Sequence, residues 1–68
     1  MQTLETKVIG DLRFFPRPLA AEKLSKTEKT LRRWELIGYG PPVTRFGRDP
    51  YYEEKGMEQW ARSLAVRS

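Results

Sequence analysis

Sixty-eight residues with 13 lysines and arginines against nine carboxylates, a formal net charge of +4, make one small domain with a thin core. The chain has neither cysteine nor histidine, which removes disulfides and the ordinary zinc ligands, so no metal or cofactor is expected. No apolar run approaches the roughly 20 residues that span a bilayer, and no signal-type apolar stretch opens the chain, so a cytoplasmic protein without membrane contact is expected.

In chain order, residues 1–13 hold no sustained period. Thr3-Leu4-Glu5-Thr6-Lys7-Val8-Ile9 has strand character, but Gly10-Asp11 interrupts it and no partner is evident. This segment reads as a flexible or loosely packed N-terminal arm ahead of a domain over residues 14–68. Phe14 and Phe15 are expected to plug the core. Pro16-Arg17-Pro18 marks a helix start, where a missing N–H is no loss. Leu19, Ala20, Ala21 and Leu24 form its apolar face, with the paired alanines allowing a second helix close approach.

Ser25-Lys26 breaks that pattern, and Thr27 is placed to cap a second helix over about 28–37. Leu31, Trp34 and Ile37 are its expected buried stripe, with Thr27 and Thr30 alongside. Glu28, Lys29, Arg32, Arg33 and Leu36 fall on the opposite side. Gly38 ends the helix in a left-handed conformation, and Tyr39-Gly40-Pro41-Pro42 forces an extended exit.

Val43–Phe46 and Pro50–Glu53 read as two strands joined at Gly47-Arg48-Asp49, with Thr44, Phe46, Pro50 and Tyr52 inward and Arg45 and Tyr51 outward. Met57, Trp60, Ala61 and Leu64 then keep the spacing of an amphipathic third helix. Trp60 and Trp34 are expected in the middle of the core. The expected fold is α+β and mostly helical: three helices and a two-stranded β-hairpin wing in a compact winged helix-turn-helix.

Charge is polarised along this order. Residues 1–22 sum to zero and residues 49–68 to −1, whereas residues 23–48 carry seven cations against Glu28 and Glu35, or +5. The excess lies on the turn, the second helix and the hairpin. Concentration of this kind favours a polyanionic partner over a merely solvated surface.

The run Leu24-Ser25-Lys26-Thr27-Glu28-Lys29-Thr30-Leu31-Arg32-Arg33-Trp34 resembles the turn and recognition helix of small MerR-like winged helix-turn-helix proteins. Gly40-Pro41-Pro42, Arg45-Phe46-Gly47-Arg48 and Tyr52 through Trp60 resemble the wing and closing helix of that group. It includes phage excisionases (recombination directionality factors) and AlpA-type regulators, and the resemblance covers about residues 15–64. It implies a second helix in the DNA major groove and a wing along the adjacent backbone or minor groove. Ser25 stands where the family commonly has glycine, and Lys26 where it has an apolar residue. Asp49 and Pro50 replace a basic and a β-branched wing residue, and Glu53 and Glu54 replace typically basic positions.

Under that resemblance Glu28, Lys29 and Arg32 take base-facing positions, Arg33 and Lys26 suit phosphates, and Arg45 and Arg48 form the basic wing. Arg32 is the first choice for readout, since its planar fork donates twice to guanine O6 and N7. Lys29 suits guanine or phosphate. For Glu28 two readings stay open: accepting from a cytosine amino group, or complementing the positive helix N-terminus. Thr27 both caps the helix and is within reach of a phosphate.

No catalytic constellation stands against this. Ser63 and Ser68 have no base beside them, no glycine-rich phosphate loop is present, and the carboxylates of Glu53 and Glu54 point in alternating directions on the expected strand. The expected function is therefore binding of double-stranded DNA. The leading expectation is an excisionase that biases an integrase (its partner recombinase) toward excision, and the alternative is a small AlpA-type transcriptional regulator. Glu53, Glu54 and Glu58 against Arg62 and Arg67 suit cooperative head-to-tail association of copies on DNA. A third reading, from a different class, is a module that grips an acidic protein.

Overall fold

The computed structural model describes residues 5–66. Seven elements follow in order: β1 (Lys7–Ile9), β2 (Leu12–Pro16), α1 (Arg17–Leu24), α2 (Glu28–Ile37), β3 (Thr44–Phe46), β4 (Asp49–Glu53) and α3 (Glu54–Val66). The architecture is α+β: three helices and one antiparallel sheet of four strands in the order β1-β2-β4-β3.

The first strand pair corrects the reading of residues 1–13 as an arm. Lys7, Val8 and Ile9 pair with Phe14, Arg13 and Leu12 across a two-residue loop, Gly10-Asp11. Gly10 has φ +61° and Asp11 does not share that sign, the pattern of a II′ hairpin turn, whose twist suits flanking strands. Gly10-Asp11 therefore joins two strands where the sequence reading took it to break one. Residues 1–4 of that expected arm lie outside the described residues. The pair β3–β4 is likewise not a free-standing ribbon, because β4 also pairs with β2: Phe14, Phe15 and Pro16 lie opposite Glu53, Tyr52 and Tyr51.

The β3–β4 register differs from expectation by one residue. The loop is Gly47-Arg48 alone, with Phe46 opposite Asp49, Arg45 opposite Pro50 and Thr44 opposite Tyr51. Because strand side chains alternate, a slip of one residue exchanges the faces. Tyr52, Pro50 and Arg45 thus share the helix side with Phe15, whereas Thr44, Phe46 and Tyr51 share the opposite face with Phe14. Tyr51, expected outside, is 2% exposed.

The two faces carry two apolar clusters. On the helix side Phe15, Ala20, Ala21, Leu31, Tyr52 and Met57 are buried together, with Leu19, Leu24, Trp34 and Val43 partly buried around them. Burying one such large side chain stabilises by about 1.5–3 kcal/mol, so this cluster supplies most of the driving force. On the opposite face the Phe46 ring packs edge-on to Phe14 and Tyr51, at centroid distances of 5.1 and 5.2 Å. The Lys7 ammonium lies 5.7 and 5.4 Å from the Phe46 and Tyr51 rings.

Trp34 and Trp60 touch at 5.5 Å between centroids, as expected of neighbours, but both are only half-buried. They stand with Tyr39 at the margin of the core, whose middle is Leu31 and Tyr52. The chain approaches them tightly: a Cβ on Gly40, φ +93°, would stand 2.9 Å from Trp34 Cε3. Packing of α3 centres on its first part, where Met57 is buried and Trp60 half-buried, whereas Ala61 and Leu64 are exposed. Glu53, expected as a plain strand residue, turns β4 into α3. Its carboxylate accepts from the backbone N–H groups of Lys55 at 3.1 Å and Gly56 at 3.0 Å, the bonds of a helix cap. Among the described residues no helix is long and apolar enough to cross a membrane.

Candidate nucleic-acid interface

Helices α1 and α2 end in the same way. Beyond α1 the N–H of Ser25 donates to the Glu22 carbonyl at 3.1 Å and that of Lys26 to Ala21 at 2.9 Å. Beyond α2 the N–H of Gly38 donates to Glu35 at 3.3 Å and that of Tyr39 to Trp34 at 2.8 Å. Both are Schellman closures, and the Tyr39–Trp34 ring contact is the apolar contact that accompanies one. Ser25 takes φ +58° to complete the first, so the side chain standing in place of a glycine keeps the glycine geometry. Thr27 then caps α2 as expected, its hydroxyl oxygen accepting from the Thr30 N–H at 3.1 Å while a 3.0 Å bond joins the two hydroxyls.

The buried side of α2 is not the full stripe expected. Leu31 is buried and Trp34 half-buried, but Ile37 is 69% exposed. A helix turns about 100° per residue, so a three-residue spacing drifts by about 60° at each step and carries Ile37 out of the core. Its place toward the interior is taken by Glu35. On the outer face Glu28, Lys29, Arg32, Arg33 and Leu36 are all exposed, as expected.

Glu35 is the centre of a network that sequence reasoning missed. Arg17, 8% exposed at the start of α1, donates through a terminal nitrogen to Glu35 Oε1 and through Nε to the Tyr52 hydroxyl at 3.1 Å. Arg45 on β3 donates to Glu35 Oε2 at 2.6 Å and to the Arg48 carbonyl at 3.2 Å. One carboxylate thereby joins α1, α2 and the β3–β4 hairpin. Burial works against the charged forms of both Glu35 and Arg17. Their mutual hydrogen bond, the bonds from Arg45 and Tyr52 and the accompanying charge attraction outweigh it only together, so the Glu35 carboxyl is held below its ordinary value and the Arg17 guanidinium above. Arg45, expected to point outward into the wing surface, is turned toward α2 and half-exposed.

This clamp shapes the surface beside it. A groove of about 690 Å³ runs between α2 and the hairpin, lined by Glu28, Arg32 and Leu36 on one side and Arg45, Arg48 and Pro50 on the other, with Arg17 and Glu35 in its floor. Its four arginines exceed its two glutamates by two charges. A second concavity of about 410 Å³ lies across the helix, lined by Lys29, Thr30, Arg32, Arg33 and Leu36. Arg32 and Leu36 border both, so they form the ridge between them.

Of the residues singled out from sequence, Glu28, Arg32, Arg45 and Arg48 come together around the first groove, and Lys29 and Arg33 around the second. Thr27 is engaged in capping, and Lys26 is exposed in the turn, lining neither. Arg17 and Glu35 carried no sequence signal beyond their charge, since their pairing joins positions 18 residues apart. Of the two arginines expected to meet the acidic residues of a neighbouring copy, Arg62 is exposed on α3 and Arg67 lies outside the described residues. Comparison with protein-family models, curated proteins and solved structures returned no match.

Proposed function

We propose that this protein binds double-stranded DNA sequence-specifically, as a small winged helix-turn-helix protein of the kind formed by excisionases and AlpA-type regulators. The observation that carries the reading is the groove shared by α2 and the β3–β4 hairpin, with Arg32 on one bank and Arg48 on the other. A helix set in a major groove needs its companion hairpin at a defined position, so that backbone contacts fix the register in which base edges are read. The Glu35 clamp supplies that fixed position by tying Arg17 and Arg45 together.

In this reading Arg32 reads a guanine edge, with Lys29 and Glu28 beside it. Arg33 and Lys26 meet phosphates, and Thr27 presents the α2 N-terminus to one. Arg48 at the hairpin loop anchors the wing. Arg45, which shares the Glu35 carboxylate with Arg17, holds the hairpin in place and contributes less to phosphate binding. The protein acts by binding and catalyses nothing. As an excisionase it occupies sites beside an attachment site and biases an integrase toward excision. A module this small gains specificity by neighbouring copies or a partner protein on the same DNA.

The test is binding to random and selected duplexes across a salt series. Arg32→Ala is expected to erase about 1–3 kcal/mol of preference for the selected duplex. Arg48→Ala is expected to weaken all duplexes alike and to lower the salt slope by about one. Footprints at an attachment site with altered integrase products identify the excisionase; a promoter footprint with changed transcription identifies the regulator. A wild-type protein indifferent to DNA at low salt would sink the reading and leave an acidic protein as the partner of the basic face.

A further inference from the structure

Leu36 is 81% exposed, the most exposed of the large apolar side chains on α2. A lone surface leucine is ordinary. This one has a particular setting. At about 100° per residue it lies about 20° around the helix from Lys29, about 40° from Arg32 and about 60° from Arg33. It therefore stands in the middle of the exposed face with cations on both flanks, and it borders both concavities of the surface. It also contributes nothing to the buried cluster that holds the fold together.

The occupant of that face must present anionic groups around an apolar one. A second copy of the same face would bring like charges together. Duplex DNA meets the requirement: phosphates flank a major groove in which the C5-methyl of thymine is the apolar feature at the base edges. We propose that Leu36 is a specificity-determining residue that packs on a thymine methyl, next to the base pair read by Arg32. The spacing of four residues places Arg32 and Leu36 one turn apart on one face, so the two contacts fall on neighbouring base pairs. The inference rests on the DNA-binding reading above and adds a base to it.

The experiment replaces single thymines by deoxyuridine in a duplex selected from a random pool by the wild-type protein. This removes the methyl and leaves the Watson–Crick edge unchanged. At one position the replacement is expected to weaken wild-type binding about fourfold, the equivalent of about 0.8 kcal/mol for a buried methyl-sized group. Leu36→Ala is expected to bind the thymine duplex more weakly by a similar factor and to show no further loss with deoxyuridine at that position. Its thermal unfolding should match wild type, since the side chain is outside the core. If no single replacement weakens wild-type binding, or if Leu36→Ala keeps the full loss at the sensitive position, the assignment is overturned while DNA binding stands. Absence of any wild-type binding to duplex DNA at low salt would instead overturn both.

Discussion

Glu35 and Arg17 show how a charge can be central without being on the surface. Arg17 is buried against the Tyr52 hydroxyl and paired with Glu35, so removing the carboxylate leaves a buried cation without its counter-charge. Breaking a buried pair typically destabilises by about 3–5 kcal/mol; Glu35 is partly exposed, so Glu35→Ala is expected to destabilise by about 2–3 kcal/mol in urea unfolding. The pH dependence has a definite sign. The Glu35 carboxyl is held below its ordinary value of 4.5, so the unfolded chain takes up a proton there first as pH falls. The stabilisation is complete above pH 4.5 and disappears as pH drops through the lower folded value. Urea unfolding of wild type and Glu35→Gln should therefore differ most near pH 6 and converge in acid. A constant difference across that range would show that Glu35 acts through something other than its charge.

At the scale of elements, the approach of α2 to α1 depends on the three residues between them. Ser25 closes α1 in the left-handed region, which strains any residue with a Cβ. Ser25→Gly is expected to relieve that strain and to raise stability by about 0.5–1 kcal/mol, with the added backbone freedom of the unfolded chain offsetting part of the gain. A loss of stability would mean that the serine side chain contributes a contact of its own. The same turn sets where Thr27 begins α2, and so which residues ring its outer face. Caps of this kind were legible because they are local. Thr27, Gly38 and the prolines around Arg17 act within one helical turn of themselves. The face of α2 was legible only in part. The three-residue spacing of Leu31, Trp34 and Ile37 looks like a stripe but spirals away from the core, and Ile37 follows it out.

For the molecule as a whole, one sheet separates two packed faces. Phe14 and Phe15 are adjacent in sequence and lie on opposite faces, each buried. Phe15 joins the helices, and Phe14 meets Phe46 on the other side. A domain of this size rarely holds more than about 3–5 kcal/mol in its core, and a buried Phe→Ala removes about 3–5 kcal/mol. Phe14→Ala and Phe15→Ala should both abolish the cooperative thermal transition. Survival of the Phe14→Ala fold would show the outer aromatic cluster to be dispensable. The pairing of β2 with β4 also makes the proposed wing part of the main sheet, so its position relative to α2 is held by ladder hydrogen bonds as well as by Glu35.

The sequence by itself determined the three helices, the caps at Thr27 and Gly38, the presence of the β3–β4 hairpin and the concentration of positive charge on residues 23–48. Each of these depends on side chains a few residues apart, whose preferences act before the chain is folded. The tertiary structure alone decided that the segment around Gly10 is a hairpin in the sheet, that Tyr51 is buried, and that Arg45 turns toward Glu35. The strand register hung on whether the loop held two residues or three, a difference of one position that exchanges two faces. The Arg17–Glu35–Arg45 clamp joins three elements distant in sequence. Such a clamp has no local pattern, because its charges meet only after β2, α1, α2 and the hairpin have packed together and excluded the water that would otherwise solvate them.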